Sequence, residues 1–160
     1  MKKNLVLIPA LLTLAALSTV ANAGQEKKLT QKQVPKEVLE AFHKAFPQAT
    51  NIKYESEGRK EKTVYEIDFN EQGLAREASY AANGSVLETE EEIKLEELPA
   101  AVTDAIMKAH PHATVAEAEK VLKPNGTISG YEVEIKDGGR ELEIKLDTTG
   151  KILSTDREKD

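Results

Sequence analysis

Hydrophobic and polar positions along this chain follow two rhythms, a helical one and an alternating one, and the succession occurs twice. Val38, Ala41, Phe42, Ala45 and Phe46 recur at three- and four-residue spacing, as do Val102, Ala105, Ile106 and Ala109. Each set predicts a helix with a single apolar stripe that must face a core. Pro35 and Pro99 suit the first turn, where the missing N–H would have no intrahelical partner. Pro47 and Pro111 stop the helices, because proline disfavours the helical region for the residue before it. Helices of about three turns are unstable alone in water, so something flat has to cover each stripe.

The cover is written downstream with period two. Ile52 and Tyr54 alternate with Asn51, Lys53 and Glu55; Tyr65, Ile67 and Phe69 with Glu66 and Asp68; Leu74, Arg76, Ala78 and Tyr80 with Ala75, Glu77 and Ser79. These are half-buried strands, with Ser85 to Glu90 as a fourth. Turn signals fall between them at Gly58, at Asn70 to Gly73 and at Asn83-Gly84. The second succession matches the first: Tyr131 to Ile135 with Tyr65 to Phe69, Leu142, Ile144 and Leu146 with Arg76, Ala78 and Tyr80, and Gly150 to Asp156 with Gly84 to Glu90.

The repeat is plainest at the helices. Between Val34–Thr50 and Leu98–Thr114, eight of seventeen positions are identical, among them Pro35/Pro99, Val38/Val102 and Pro47/Pro111; chance does not do that at a fixed offset. The expected fold is therefore α+β, two tandem repeats over 29–92 and 93–158, each a short helix packed on a four-stranded antiparallel sheet. The junction Glu90 to Glu97 has no Gly-Ser spacer, and about sixty residues bury a core only marginally, so the units should share a core or a continuous sheet.

The head of the chain changes the setting. Lys2 and Lys3, the apolar run Leu5–Val20 and the small residues Ala21-Asn22-Ala23 have the form of a signal peptide over 1–23, cleaved after Ala23, followed by a mobile leader over 24–28. The expected location is periplasmic or secreted, with no membrane span after cleavage. The chain has no cysteine, so neither disulfides nor thiolate chemistry can contribute. Loss of Lys2 and Lys3 would leave 20 basic residues against 28 acidic, a net charge of −8, which makes nucleic acid and anionic membranes poor partners.

The order of apolar-Pro, short helix closing on Pro-x-Ala, Tyr-Glu-Val/Ile, Gln-Gly or Gly-Gly, and a final Gly-x-Val/Ile-Leu resembles the PepSY-like family of exported bacterial proteins, described as similar to β-lactamase inhibitor protein. The resemblance covers roughly 29 to 156. It implies the fold, and its motifs (turn glycines, helix prolines and strand aromatics) assign no activity.

Candidate chemistry is sparse. Asp68-x-Asn70-x-Gln72-Gly73 starts like a calcium loop, but its twelfth position is Ser79 and strands flank it, so it reads as a hairpin turn. His110 and His112 straddle Pro111 without a third ligand nearby, and His110 replaces Phe46, which points to a ring filling the last helical turn. His43 should be solvent-exposed. Ser56, Ser79, Ser85, Ser129 and Ser154 lack a nucleophile elbow, and the paired acids belong to alternating strands. Asn83-Gly-Ser and Asn125-Gly-Thr match the glycosylation sequon but read as turns. No catalytic, cofactor or metal residue is expected.

What remains is the polar half of each strand. With apolar residues turned to the helices, Lys53, Glu55, Glu66, Asp68, Glu77 and Ser79 share the opposite face of the first sheet, and Glu132, Glu134, Lys136, Glu141, Glu143 and Lys145 that of the second. The expectation is a non-catalytic module that binds or inhibits an unknown, basic envelope protein through this acid-rich face. The alternatives are an acidic cation-binding envelope protein and an unrecognised hydrolase.

Overall fold

Two prolines set where the helices begin. In a computed structural model, which describes residues 27–58 and 63–157, Pro35 and Pro99 cap α1 (Lys36–Ala45) and α2 (Ala100–Ala109). A single turn of 3-10 helix, Gln31–Gln33 or Leu95–Glu97, leads into each. The signal peptide expected over 1–23 and residues 24–26 lie outside the described residues.

The strands are β1 (Lys27–Leu29), β2 (Thr50–Glu57), β3 (Val64–Glu71), β4 (Leu74–Ala81), β5 (Val86–Glu92), β6 (Thr114–Leu122), β7 (Ile128–Asp137), β8 (Arg140–Asp147) and β9 (Ile152–Arg157). They form one nine-stranded sheet in sequence order, antiparallel throughout. Two expectations are corrected here. The sheet is not divided four and four, because β5 pairs with β6 from Thr89↔Leu122 to Glu92↔Glu119. Lys27 and Lys28, read as mobile leader, belong to β1 and pair with Ser56 and Glu55. That strand has one apolar residue, Leu29, so alternation could not reveal it; its partners are supplied by β2.

Both helices lie on the same face of the sheet, each over its own core. Val38 and Phe42 of α1 are fully buried with Ile67, Phe69, Ala78 and Tyr80. Val102 and Ile106 of α2 pack with Ala118, Val133, Ile135, Ile144 and Leu146. The two clusters share no residue, so the halves have a sheet in common and not a core. Ala45 and Ala109, expected in the stripes, are exposed. The ring of the following residue turns inward instead: Phe46 lies 4.5 Å from Phe69 between ring centroids, and His110 Nδ1 is 2.9 Å from Asp137 Oδ2.

The turns hold the helices in place. Gln72-Gly73, with φ of 55° and 85°, closes β3–β4 as a two-residue turn within the Asn70 to Gly73 stretch expected to turn, Asn70 and Glu71 remaining in the ladder. Gly84 and Gly150, in the β4–β5 and β8–β9 turns, press against the start of each helix: a Cβ at Gly84 would lie 2.5 Å from the Glu37 carbonyl oxygen, and one at Gly150 2.2 Å from that of Ala101. Both glycines also have positive φ, 80° and 83°, so two independent constraints select glycine.

Candidate functional site

Because the helices cover one face only, the other is built entirely from strand side chains, and register decides which meet. All eleven charged residues singled out from the sequence, with Ser79, lie on this helix-free face. Lys53, Asp68, Glu77 and Glu90 form one row across β2–β5, and Glu55, Glu66, Ser79 and Glu88 the next. In the second half Glu92, Glu119, Glu132, Lys145 and Ser154 form a row. Glu117, Glu134, Glu143 and Asp156 form another, and Lys136 faces Glu141 at the end of the hairpin, 2.7 Å away.

The β5–β6 pairing brings the two sets together, and its centre holds two residues the sequence reading left out. Glu90 is only 5% exposed, and one oxygen each of Glu90, Glu119 and Glu132 lie within 4.8 Å of one another. Glu77 stands opposite Glu90 on β4. A signal for Glu119 was present: the 64-residue offset that aligns the helices places it on Glu55. Glu90 had none, since its neighbours on β6 are fixed only by the pairing of the two halves.

Crowding of like charges in a partly dehydrated site disfavours ionisation. Burial, then Glu66 and Asp68, push the Glu77 carboxyl up to about 8. Glu90 is raised by burial and then by Glu132, Glu77 and Glu119, and Glu119 and Glu132 are also raised, in each case chiefly by burial. Lys145 is the cation in their midst. Its ammonium lies 2.8 Å from Glu132 Oε2 and 3.4 Å from Glu143 Oε1. Burial opposes its charge, but Glu132, then Glu143 and Glu90, hold its pKa above the ordinary lysine value.

On the helix side the same seam is closed by ions of both signs. Arg76 Nη2 lies 2.9 Å from Glu91 Oε2, and Lys120 Nζ 2.5 Å from Glu91 Oε1, between the two apolar cores. The candidate calcium loop is a hairpin turn in which Asn51 Nδ2 donates to Asn70 Oδ1 at 3.1 Å. His43 is exposed. Both sequons lie in turns, where the Asn83 and Asn125 side chains accept from Ser85 N and Thr127 N at 3.0 Å. A cleft of about 480 Å³ opens beside the second 3-10 turn, lined by residues 92–96 of the chain leading into that turn and 116–118 of β6, four of them charged.

Short helices on one face of a meandering antiparallel sheet, with an acidic second face that no helix covers, define an α+β scaffold. The chain belongs to the family described as "Putative beta-lactamase-inhibitor-like, PepSY-like", whose model matches residues 63–154. The PepSY model, described as peptidase propeptide and YPEB domain, matches residues 35–90. Among solved structures, a periplasmic protein (putative) from Bacteroides eggerthii DSM 20697 is 20% identical with a TM-score of 0.60, covering 78% of this chain and 88% of that one. A BLIP-like protein from Bacteroides fragilis NCTC 9343 is 24% identical with a TM-score of 0.54, covering 79% and 89%. A DUF2874 family protein from Bacteroides uniformis ATCC 8492 is 19% identical with a TM-score of 0.59, covering 78% and 89%. At these identities the likeness is one of fold. No curated protein matches, and no helix among the described residues is long and apolar enough to cross a membrane.

Proposed function

We propose that this chain is a non-catalytic periplasmic module that binds or inhibits a basic envelope protein by docking it on the helix-free face. The observation that carries the reading is the continuity of that face: one sheet carries the acidic rows of both halves, offset at the seam, where Glu90 lies opposite Val121 and Glu92 opposite Glu119. The tandem units read from the sequence repeat, 29–92 and 93–158, double the surface. The family description and the periplasmic and BLIP-like relatives support the reading, as does the apparent signal peptide.

Physical chemistry supplies the occupant. Like charges on cross-strand neighbours cost about 0.2–1 kcal/mol per pair, and lysine or arginine side chains of a partner would relieve that repulsion. Complementary charge chiefly speeds encounter, so added salt should slow association more than it speeds dissociation. The test is capture from envelope extract by the mature protein and by the combined variant Glu66→Lys, Glu132→Lys, Glu134→Lys, with folding checked by circular dichroism. Loss of a salt-sensitive partner in the folded variant supports the reading; equal capture by both places the contact elsewhere.

A cation-binding role is the second reading, favoured by the convergence of Glu90, Glu119 and Glu132. Calorimetric titration with calcium and zinc separates the two, since site-specific micromolar binding of either ion would reverse their order.

A further inference from the structure

The two halves of the molecule have separate cores, and among the described residues the sheet connects them through one ladder. That ladder has four register pairs, from Thr89↔Leu122 to Glu92↔Glu119, against eight in β3–β4 and eight in β7–β8. It is extended by one hydrogen bond, from Ile93 N to Ala118 O at 2.9 Å. On its helix side Glu91 is clasped by Arg76 and Lys120. On its helix-free side the carboxyl groups of Glu90 and Glu119 are juxtaposed across the two strands, with Glu132 on β7 and Glu77 on β4 flanking them.

Every element packed around this cluster adds charge, nearly all of it negative. Glu66 and Asp68 face it from β3, Glu92 from the end of β5, Glu117 from β6, and Glu143 from β8. Lys145, also on β8, is the cation engaged by Glu132 and Glu143, and Lys53 on β2 stands beyond Asp68 at the far end of the Glu77–Glu90 row. One lysine cannot neutralise four crowded carboxylates. Protons shared within the cluster relieve the remaining repulsion, because a carboxyl–carboxylate pair makes a short, charge-assisted hydrogen bond where two carboxylates repel.

We propose that the β5–β6 seam is a proton-operated hinge: Glu77, Glu90, Glu119 and Glu132 share protons across it, and release of those protons to solvent loosens the ladder that joins the two halves of the sheet. The closed seam holds these protons because burial and mutual repulsion raise all four carboxyl groups, Glu77 to about 8. When the seam opens the groups hydrate and return toward ordinary carboxylate behaviour. The closed state thus binds more protons than the open one, so its advantage is complete at acid pH and is lost as pH rises through the raised values. The hinge does not depend on the docking proposal: it concerns the relation between the halves, whatever occupies the face.

Native-state amide hydrogen exchange of the mature protein, corrected for intrinsic rates, tests it between pH 6 and 9. Opening of the Ile93 amide and the β5–β6 amides should increase about tenfold per pH unit wherever the closed seam holds one more proton than the open one. Protection of the β7–β8 amides should change much less. Glu90→Gln and Glu119→Gln should each flatten the pH dependence at the seam, while Glu141→Gln, at the far end of the β7–β8 hairpin, should leave it as in the wild type. Equal pH dependence in wild type and either glutamine variant would overturn the proposal, and so would seam protection that is flat with pH. Loss of protection shared equally by β7–β8 would also overturn it, because that is global unfolding. Glu77→Gln, at the rim of the cluster, carries the same test if a variant at 90 or 119 does not fold.

Discussion

Replacing Gly150 with alanine probes the contact that fixes α2 against the sheet. The new methyl would lie 2.2 Å from the Ala101 carbonyl oxygen and 2.7 Å from its carbon, where ordinary contact begins at 3.4 Å. Backbone stands in the way, so no side-chain rotation relieves the clash. Either the β8–β9 turn or the first turn of α2 must retreat by roughly 1 Å, and forced shifts of this kind cost about 1–3 kcal/mol. The φ of 83° adds about 1–2 kcal/mol for an L-residue in the left-handed region. The expected loss is therefore about 2–5 kcal/mol. Gly138→Ala is the matched control, since its φ is 60° and a Cβ there meets nothing within 4 Å; it should lose only the conformational part. Urea unfolding of both variants, with unchanged m values, gives the comparison. Equal losses would show that the turn does not hold the helix. Gly84→Ala should behave like Gly150→Ala, because its Cβ would meet the Glu37 carbonyl at 2.5 Å.

Tyr80→Phe should leave stability unchanged or raise it by up to about 1–2 kcal/mol, because the fully buried Tyr80 hydroxyl has no hydrogen-bond partner among the described residues; a marked loss in urea unfolding would reveal a partner for it. Glu91→Ala should cost about 1–3 kcal/mol, less than a fully buried pair because its side chain and those of Arg76 and Lys120 keep 16, 21 and 28% exposure. Glu91→Ala combined with Arg76→Leu and Lys120→Leu should recover part of that loss, and failure to recover any would argue against an uncompensated-charge origin.

The sequence by itself determined the main elements, which depend on neighbours along the chain, though not the 3-10 turns ahead of the helices or the exposure of Ala45 and Ala109. Stripes at three- and four-residue spacing between prolines placed both helices, alternation placed β2 to β4 and their counterparts, and Asn70 to Gly73 and Asn83-Gly84 placed turns. Alternation also assigned Lys53, Glu66, Glu77, Glu132 and Lys145 to the face away from the helices, because in a half-buried strand side-chain direction follows from position parity alone. Family membership was legible for the same reason, since the motifs that carry it are helix ends, turns and strand aromatics.

Tertiary structure decided what depends on which strands lie side by side. The single strand pairing of β5 with β6 chose a continuous sheet over a shared core, the two arrangements the sequence left open, buried Glu90, set Glu119 and Glu132 beside it, and placed Arg76, Glu91 and Lys120 between the cores. Glu90 and Glu119 are 29 residues apart, and no local rhythm records their meeting. Register across a seam is chosen by the summed fit of both faces and both cores, so a pattern that tells a side chain which way to point does not tell it what it will find there.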